Sequence, residues 1–431
     1  MNRRECLKRL GLAGGVVLAG SPRSLFGQAS SLPRLAGLRA EAERLGKPGW
    51  RAMLRYHADL HAKAIKPAQA PFPFPWEEIG PGYMSRAFGH WDIVHEMLDV
   101  LPAEPDHVRH QLSNDLVSQQ QDGFLPGSIY VSPTGITFGK EQGHPPLWPV
   151  AADDYARQQK DPAVLATCFE PLVRQIHWFE TNRKAEGEGA YYADILTGKW
   201  ESGVDEGVRF TGVTAGNRAF VDATAHLYQM YALAAAWAKT LGKSAETLDA
   251  RATTLRDFLR TKLYVETTGL FHDLWAVENP AQRIVTFEGL WPMIVGAATP
   301  QQATRIVEGS LLNPDRFLCA HPIATVGLKE KAFELRMWRG PAWNSMTYWA
   351  ARGALRYGFK AAAKTILEWA LDDTAAQFAR TGTIWEFYSP SGGKPEELRR
   401  KLVNQRWTNP CRDYLGHNPL FAMARLWQDA G

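Results

Sequence analysis

Paired segments of helical periodicity constrain the fold of this chain more than any other feature of the sequence. Apolar side chains recur every three to four positions over residues 223–241, and the same period resumes over 248–263 after a short break that contains glycine. A second pair covers 344–357 and 361–379, again with a glycine between its halves. The sequence therefore predicts helices that follow one another in pairs.

Further helices are predicted along most of the chain, whereas strand signals are weak. The additional helical stretches cover residues 33–66, 92–101, 105–120, 148–159, 163–182, 299–312 and 417–428. Residues 128–138 read as a small hairpin that turns at Pro133–Gly135. A chain with so little sheet must pack helix faces against helix faces, as an open solenoid or as a closed toroid. Since no fixed repeat length is present, we predict an all-α fold, a closed (α/α) barrel whose inter-helix loops form one mouth.

The first 29 residues have the pattern of an export signal. Arg3–Arg4 precede a short apolar run over residues 10–19, and residues 27–29 offer a small-x-small cleavage site. The run is too short to span a bilayer, and the double arginine resembles a twin-arginine signal. We expect residues 1–29 to be removed and residues 30–431 to form a single barrel domain. The mature protein is then expected to be periplasmic or secreted, without membrane association.

Charge and cysteine usage exclude several classes of function. The chain has 49 Lys and Arg against 45 Asp and Glu, and no basic run beyond the signal offers a nucleic-acid footprint. One of four cysteines lies in the signal, and the others show no CxxC spacing, which argues against a structural zinc site. They are expected to be buried and small, although a bridge between Cys319 and Cys411 stays an alternative. The sequence leaves the oligomeric state open.

Known cofactor and metal motifs are missing from the sequence. It contains no HExxH motif, no glycine-rich phosphate loop and no GxSxG nucleophile motif, so we expect neither a metal nor a cofactor. His107 and His110, three positions apart in a predicted helix, are expected to face solvent.

Tryptophan is frequent, with 16 residues that either fill a large core or line a carbohydrate cleft. Several loop stretches combine tryptophan or proline with polar side chains. They are FGHWD (88–92), QQQDGFLPG (119–127), GHPPLW (143–148), WESGVDEGVRF (200–210), MWRGPAW (337–343) and IWEFYSPSGG (384–393). Their combination and order are more specific than any one stretch.

This ordered set resembles the clan of glycoside hydrolase families 63 and 37, which contains processing α-glucosidases and trehalases. It is most similar to the short bacterial members that act on glucosylglycerate or mannosylglycerate. The resemblance implies an (α/α)6 barrel, with Asp205 as general acid and Glu386 as general base. Glycosidic cleavage by inversion needs such a pair, one carboxyl protonated and the other activating water. Like charges on Glu201 and Glu206 are expected to raise the pKa of Asp205 if they lie near it.

The resemblance also implies a set of substrate-binding residues. They are Trp91, Asp92, Gln142, His144, Arg209, Trp338, Arg339, Gly340, Trp343, Trp385 and Tyr388. Asp92 is expected to accept hydrogen bonds from sugar hydroxyls, or to cap the helix that follows it. Arg209 either holds the loop of the acid or binds an anionic leaving group. Arg339 pairs with Asp205 or Asp92, or supports its own loop. His144 stands where the clan has glutamine, and Gln142 is the alternative for that contact.

The predicted function is that of an exported inverting glycoside hydrolase that cleaves an α-linked glucoside or mannoside, either a disaccharide or a glycosylglycerate. Its partner is then a small carbohydrate, with no role for nucleic acid. One alternative is a sugar epimerase or isomerase on the same barrel, which would need histidine bases such as His90 or His144 at the mouth. The other is a periplasmic glycan-binding protein, which would need no pair of opposed acids.

Overall fold

The helical repeats of the sequence close into a ring in the computed structural model of the protein. The structure describes residues 32–83, 86–132, 135–139, 142–197, 200–213, 216–401 and 408–431. The export signal predicted for residues 1–29 lies outside these residues. Residues Pro33–Gly431 form one compact unit.

Helices account for most of the regular structure in the described part of the chain. They are α1 (Ala36–Ala42), α2 (Arg51–Ala64), α3 (His90–Val100), α4 (Pro105–Leu116), α5 (Trp148–Gln159), α6 (Ala163–Asn182), α7 (Asp194–Thr197), α8 (Val221–Thr240), α9 (Glu246–Phe258), α10 (Leu274–Glu278), α11 (Trp291–Ile294), α12 (Pro300–Ile306), α13 (Asn344–Arg356), α14 (Lys360–Thr381) and α15 (Leu420–Ala430). One π-helical turn, Leu259–Leu263, continues α9, and another, Val307–Leu311, continues α12.

Six helices form a closed inner ring. In order around the ring they are α3, α5, α8, α11, α13 and α15, and α15 packs against α3 to complete it. The helices α4, α6, α9, α12, α14 and α2 pack outside this ring. Each outer helix covers the outward apolar face of the inner helices, as expected for helices that must bury faces against one another. The predicted (α/α)6 barrel is therefore confirmed.

The predicted helix pairs are confirmed, and one inner helix was missed. The two pairs predicted from periodicity appear as α8 with α9 and as α13 with α14, with ends that shift by a few residues. The short helix α11 has only four residues, although the 3₁₀ turn Phe287–Leu290 leads into it. A segment of that length shows no period that could be recognised in the sequence.

Short strands shape the loops at one end of the barrel. The strands are β1 (Ile65–Lys66), β2 (Trp76–Glu77), β3 (Ala87–Gly89), β4 (Ser128–Ser132), β5 (Gly135–Phe138), β6 (Tyr264–Val265) and β7 (Leu270–Phe271). The predicted hairpin is confirmed as β4 and β5, which are antiparallel. The strand β3 adds to its other edge, with Gly89 opposite Ser128, and runs directly into α3. This small sheet fixes the start of α3.

The cysteines agree with the prediction of buried, unbridged side chains. Cys168, Cys319 and Cys411 are free and buried. Among the helices of the described residues, none combines the length and apolar character needed to cross a membrane.

Candidate active site

A cavity of about 600 Å³ opens among loops that precede inner helices in the chain. Its wall includes Asp92 in the first turn of α3, Trp343 directly before α13, and His417 shortly before α15. The two carboxyl groups predicted to catalyse, those of Asp205 and Glu386, line the same cavity. The fold therefore gathers around one space several side chains that lie far apart in the sequence.

The deep part of the cavity is walled by stacked indoles. Trp338 lies parallel to Trp343, with ring centroids 3.9 Å apart, and faces Trp91 at 5.7 Å. The imidazole of His417 meets the rings of Trp91 and Trp343 edge-on, with centroids at 4.7 and 4.8 Å. All three indoles are almost fully buried and also line the cavity. These tryptophans thus fill the core and wall the cleft at once.

Asp92 is placed for hydrogen bonding and is not the helix cap. The helix α3 begins at His90 after Gly89, so Asp92 lies within its first turn. Its Oδ1 accepts a hydrogen bond of 2.7 Å from the hydroxyl of Tyr414. Gly416 presses against it, because a Cβ there would lie 2.1 Å from the same oxygen. Burial raises the pKa of Asp92 to about 6, despite the hydrogen bond from Tyr414.

The predicted acid is carried by an irregular segment, residues 200–207, which we call the acid loop. Glu201 anchors this loop, since its carboxylate accepts bonds of 2.6 Å from Arg183 Nε and 3.1 Å from the amide of Gly143. Ser202 donates its amide and hydroxyl to the buried carboxyl group of Asp194. These contacts fix the loop on the side away from the cavity.

Gly203 sets the acid loop against the wall of the cavity. It has a φ of +73°, and a Cβ at this position would lie 2.2 Å from the indole of Trp91. Only glycine allows this combination of left-handed backbone and close approach. Asp205, two residues later, thereby reaches the cavity.

The neighbouring acids do not raise the pKa of Asp205 as predicted. Glu201 is paired with Arg183, and Glu206 forms an ion pair with Arg336, so each is neutralised by its own arginine. Burial is the main reason that the pKa of Asp205 is raised. The ammonium of Lys401 opposes this effect, and the negative charge of Glu386 adds to it.

Two consecutive cations hold the two predicted catalytic carboxylates. Arg400 Nε donates to Glu386 Oε1 and Oε2 at 2.9 and 2.7 Å, and the amide of Cys411 also donates to Oε2 at 2.9 Å. The ammonium of the next residue, Lys401, contacts the carboxylate of Asp205. Sequence reasoning missed both cations, because an Arg-Lys pair in a polar stretch carries no signal of what it faces.

Several residues predicted to bind substrate lie outside the cavity wall. Arg209 is buried, with Nη2 at 2.6 Å from Asp222 and Nη1 at 3.0 Å from Asp273. Arg339 donates to the carbonyl oxygen of Glu206 at 3.1 Å, so it supports the acid loop. Neither guanidinium pairs with Asp205 or Asp92, and these two arginines hold protein rather than line the cavity.

Four more of the predicted residues are bonded to other parts of the protein. The amide of Gly340 donates to Thr325 Oγ1 at 3.0 Å, and the indole of Trp385 donates to Thr381 Oγ1 at 3.1 Å. The hydroxyl of Tyr388 accepts the amide of Trp385 at 3.2 Å. The main-chain carbonyl oxygen of Gln142 accepts a hydrogen bond of 2.9 Å from the amide of Gly127. None of these four predicted residues belongs to the described wall of the cavity.

Histidines reach the cavity as neutral groups. His144 and His417 line it, and burial lowers the pKa of His144 to about 3 and that of His417 well below its usual value. His90 lies behind the wall, with its Nδ1 at 2.8 Å from Asp115. The lowered pKa values make His144 and His417 weak bases, which are poorly suited to the proton abstraction that an epimerase would require.

A second group of histidines is buried between α2 and α3. The Nε2 atoms of His57 and His61 both lie 3.0 Å from Asp99 Oδ2, a spacing on α2 that sequence reasoning overlooked. The side chains of His57, His61 and Asp99 are close enough to share a metal ion. In the structure, however, the two imidazoles are hydrogen-bonded to the carboxylate of Asp99. His107 is buried and bonded to Glu77 at 2.7 Å, so the prediction that it faces solvent was wrong.

Comparison with known proteins agrees with the fold. Residues 88–408 match the family model of the mannosylglycerate hydrolase MGH1-like glycoside hydrolase domain. The chain is 23% identical over 411 residues to mannosylglycerate hydrolase MGH1 from Selaginella moellendorffii, covering 76% of this chain and 78% of that protein. The MGH2 protein of the same organism matches to the same extent.

Solved structures share the barrel at low sequence identity. One is the GH63 mannosylglycerate hydrolase from Thermus thermophilus in complex with Tris and D-glycerate, with a TM-score of 0.66 and 16% identity. That alignment covers 86% of this chain and 99% of the other. Another is the neutral trehalase Nth1 from Saccharomyces cerevisiae, with a TM-score of 0.63, 14% identity, and coverage of 85% and 76%.

Proposed function

Because the chain belongs to the family of mannosylglycerate hydrolase MGH1-like glycoside hydrolases, we propose that it cleaves an α-linked mannoside or glucoside by inversion. Glycosylglycerates are the first candidate substrates, since the matched relatives are mannosylglycerate hydrolases. Family membership makes the chain a glycoside hydrolase, so the epimerase and glycan-binding alternatives are set aside. The observation that carries the mechanism is the meeting of Asp205, Glu386 and Asp92 at one cavity.

In the proposed reaction Asp205 is protonated and Glu386 is ionised. Asp205 gives its proton to the glycosidic oxygen as the bond to the anomeric carbon breaks. Glu386 takes a proton from a water molecule that attacks the same carbon from the opposite face. Arg400 suits Glu386 to this role, because its Nε donates to both carboxylate oxygens and holds them in place.

The sugar is proposed to lie deep in the cavity, above the indoles. Asp92 would accept hydrogen bonds from its hydroxyl groups, next to Tyr414. The indoles of Trp91, Trp338 and Trp343 stack on one another and would form the apolar wall against which the sugar ring lies. The leaving group would then point outward, past Asp205.

Stereochemistry tests this mechanism most directly. Proton NMR during early hydrolysis of α-mannosylglycerate should show the β anomer of mannose first. We expect the two carboxyl groups to stand about 6.5–9.5 Å apart in a substrate complex, which leaves room for water. The α anomer as first product, or a covalent glycosyl adduct on either acid, would contradict inversion.

Substitution of the two acids tests their assignment. Asp205→Asn and Glu386→Gln should each lower kcat by on the order of 10²–10⁴-fold with little change in folding. Glu396→Gln is a matched control, because Glu396 is an exposed carboxylate paired with Arg380 on the protein surface. Activity of either catalytic variant equal to that of this control would remove that residue from the mechanism.

We also propose that the protein is exported. The support is the basic, apolar and small-residue pattern of residues 1–29, with cleavage after Ala29. Mass spectrometry of protein purified from its native host should begin at Ser30, and replacement of Arg3 and Arg4 by lysine should retain the precursor. A mature protein that still carries Met1 would exclude this processing.

A further inference from the structure

The pairing of Asp205 with Lys401 conflicts with the role of a general acid. Lys401 Nζ contacts Asp205 Oδ2, and the two side chains are only 19% and 14% exposed. A carboxyl group can donate a proton only when it is neutral, whereas an adjacent ammonium stabilises its charged form. Because Lys401 opposes the rise in the pKa of Asp205 that burial causes, departure of Lys401 would favour the protonated acid that the proposed reaction needs.

Lys401 lies toward the open side of the cavity, where the leaving group is expected. Its Nζ is 4.6 Å from the ring centroid of Trp200, and that indole is 45% exposed. At the other end, the indoles of Trp338 and Trp343 are 2% and 1% exposed. This gradient of burial places the sugar among the deep indoles and places Lys401 beside the group that departs.

The other strong cation on the described cavity wall is committed elsewhere. Arg400 is bonded through Nε to both oxygens of Glu386. Lysine, by contrast, carries a compact charge on a flexible stem and can change partners without a fixed fork geometry. A single partly exposed ion pair of this kind contributes little to the free energy of folding, so Lys401 can exchange its partner at a small cost in free energy.

We propose that Lys401 binds a carboxylate on the leaving group and exchanges Asp205 for the substrate. This inference rests on the proposed glycosidase function and assigns the side chain that selects substrates with an acidic leaving group. When Lys401 turns to the substrate carboxylate, Asp205 takes up one proton from solvent and later passes it to the glycosidic oxygen. Lys401 keeps its own proton throughout. A neutral glycoside leaves Lys401 on Asp205, where the ammonium opposes protonation of the acid.

The first test compares an anionic substrate with its neutral analogue. The kcat/KM values for α-mannosylglycerate and α-mannosylglycerol should differ in the wild-type enzyme by on the order of 10²-fold. Lys401→Gln should reduce this ratio to within about threefold, and Lys401→Arg should retain most of it. Lys394→Gln is the matched control, since Lys394 is 57% exposed and pairs only loosely with Glu397 at 3.5 Å. It should keep the wild-type ratio.

The second test measures binding without turnover. Calorimetric titration with D-glycerate should give at least about tenfold weaker binding to Lys401→Gln than to the wild type, and no such difference for glycerol. Hydrolysis of both glycosides at equal rates by the wild type would overturn the inference but leave the glycosidase function intact. Equal losses on both substrates in Lys401→Gln, with unchanged D-glycerate binding, would do the same.

The two proposals fail in different ways. If no α-mannoside or α-glucoside is hydrolysed, the proposed function is wrong, while D-glycerate binding that depends on Lys401 would still support a carboxylate site. If Lys401→Gln does not fold, the selectivity of the wild type and of Lys401→Arg decides the question.

Discussion

Replacing Gly203 by alanine would test whether the acid loop depends on its contact with Trp91. The new Cβ would lie 2.2 Å from the indole, whereas ordinary contact begins at 3.4 Å, so the loop or the ring must shift by about 1.2 Å. Overpacking of this kind destabilises by about 1–3 kcal/mol. The left-handed backbone, with a φ of +73°, adds about 1–2 kcal/mol for any residue with a Cβ.

Gly212→Ala provides a matched control for this substitution. Gly212 has a φ of +74°, and a Cβ there would meet no atom within 4 Å. It should therefore lower the free energy of unfolding by about 1–2 kcal/mol through backbone strain alone. Gly203→Ala should lower it by about 2–5 kcal/mol, and the difference between the variants measures the contact with Trp91.

The two variants should differ more in activity than in stability. A misplacement of about 1 Å at a reacting group can reduce the rate on the order of 10²-fold, and Asp205 lies two residues from Gly203. We expect that loss in kcat/KM for α-mannosylglycerate in Gly203→Ala, and values within about threefold of wild type in Gly212→Ala. Urea unfolding followed by tryptophan fluorescence gives the stabilities. Equal kcat/KM values in the two variants would refute the idea that Trp91 positions the acid loop.

Three further substitutions give separate expectations. Asp92→Asn should lower kcat/KM for α-mannosylglycerate by about 10–10²-fold with an unchanged urea midpoint, because an amide accepts sugar hydrogen bonds less well than a carboxylate; unchanged kinetics would leave Asp92 a structural role. Glu201→Gln should lower the free energy of unfolding by about 3–5 kcal/mol, because Arg183 loses its buried charge partner; a loss below about 1 kcal/mol in urea titrations would contradict this. Asp194→Asn should flatten the pH dependence of stability. Burial raises the pKa of Asp194 to about 8, whereas an aspartate in the unfolded chain titrates at about 3.9. The free energy of unfolding therefore falls as pH rises between these two values, by up to about 1.4 kcal/mol per pH unit. The urea midpoint of Asp194→Asn, measured at pH 5 and pH 8, should therefore approach or exceed that of the wild type at the higher pH. Midpoints that change in parallel with pH in the two proteins would argue against this reasoning.

The barrel could be predicted from the sequence because its long helices have a recognisable apolar periodicity. Helices such as α8 and α14 span several turns, and their apolar faces recur often enough to be recognised. The inner helix α11 is a single turn, and its place in the ring is set by contacts with α8 and α13. Its position follows from closure of the ring, which no local pattern expresses.

The candidate site was predictable where side chains occur in dense local motifs. Asp205 and Glu386 lie in such motifs, and the fold brings both to one cavity, although their catalytic roles stay predictions. Arg400 and Lys401 were missed, because a chain with 49 Lys and Arg residues gives no local sign of which ones face an acid.

His107 shows that a residue predicted to face solvent can instead be buried by contacts between distant elements. His107 was expected in solvent because its helix is polar, but it is buried against Glu77, which lies 30 positions earlier on β2. Ion pairs between distant elements form only in the tertiary structure. They depend on which elements the barrel places side by side, and amphipathic periodicity reports only on one element at a time.

The closed ring of inner helices turns position in the chain into an angle around the cavity. Counting from α3, the loop that carries Asp205 leads into the third inner helix, α8, and the segment that carries Glu386 leads into the sixth, α15. Third and sixth places in a ring of six face each other across its diameter, so the two carboxyl groups approach from opposite sectors. During divergence, a loop in any other sector could lengthen or change composition and alter which leaving group is accepted. Inserting or deleting a whole hairpin between these two sectors would rotate one acid away from the other, so the count of hairpins is under a stricter constraint than their loops.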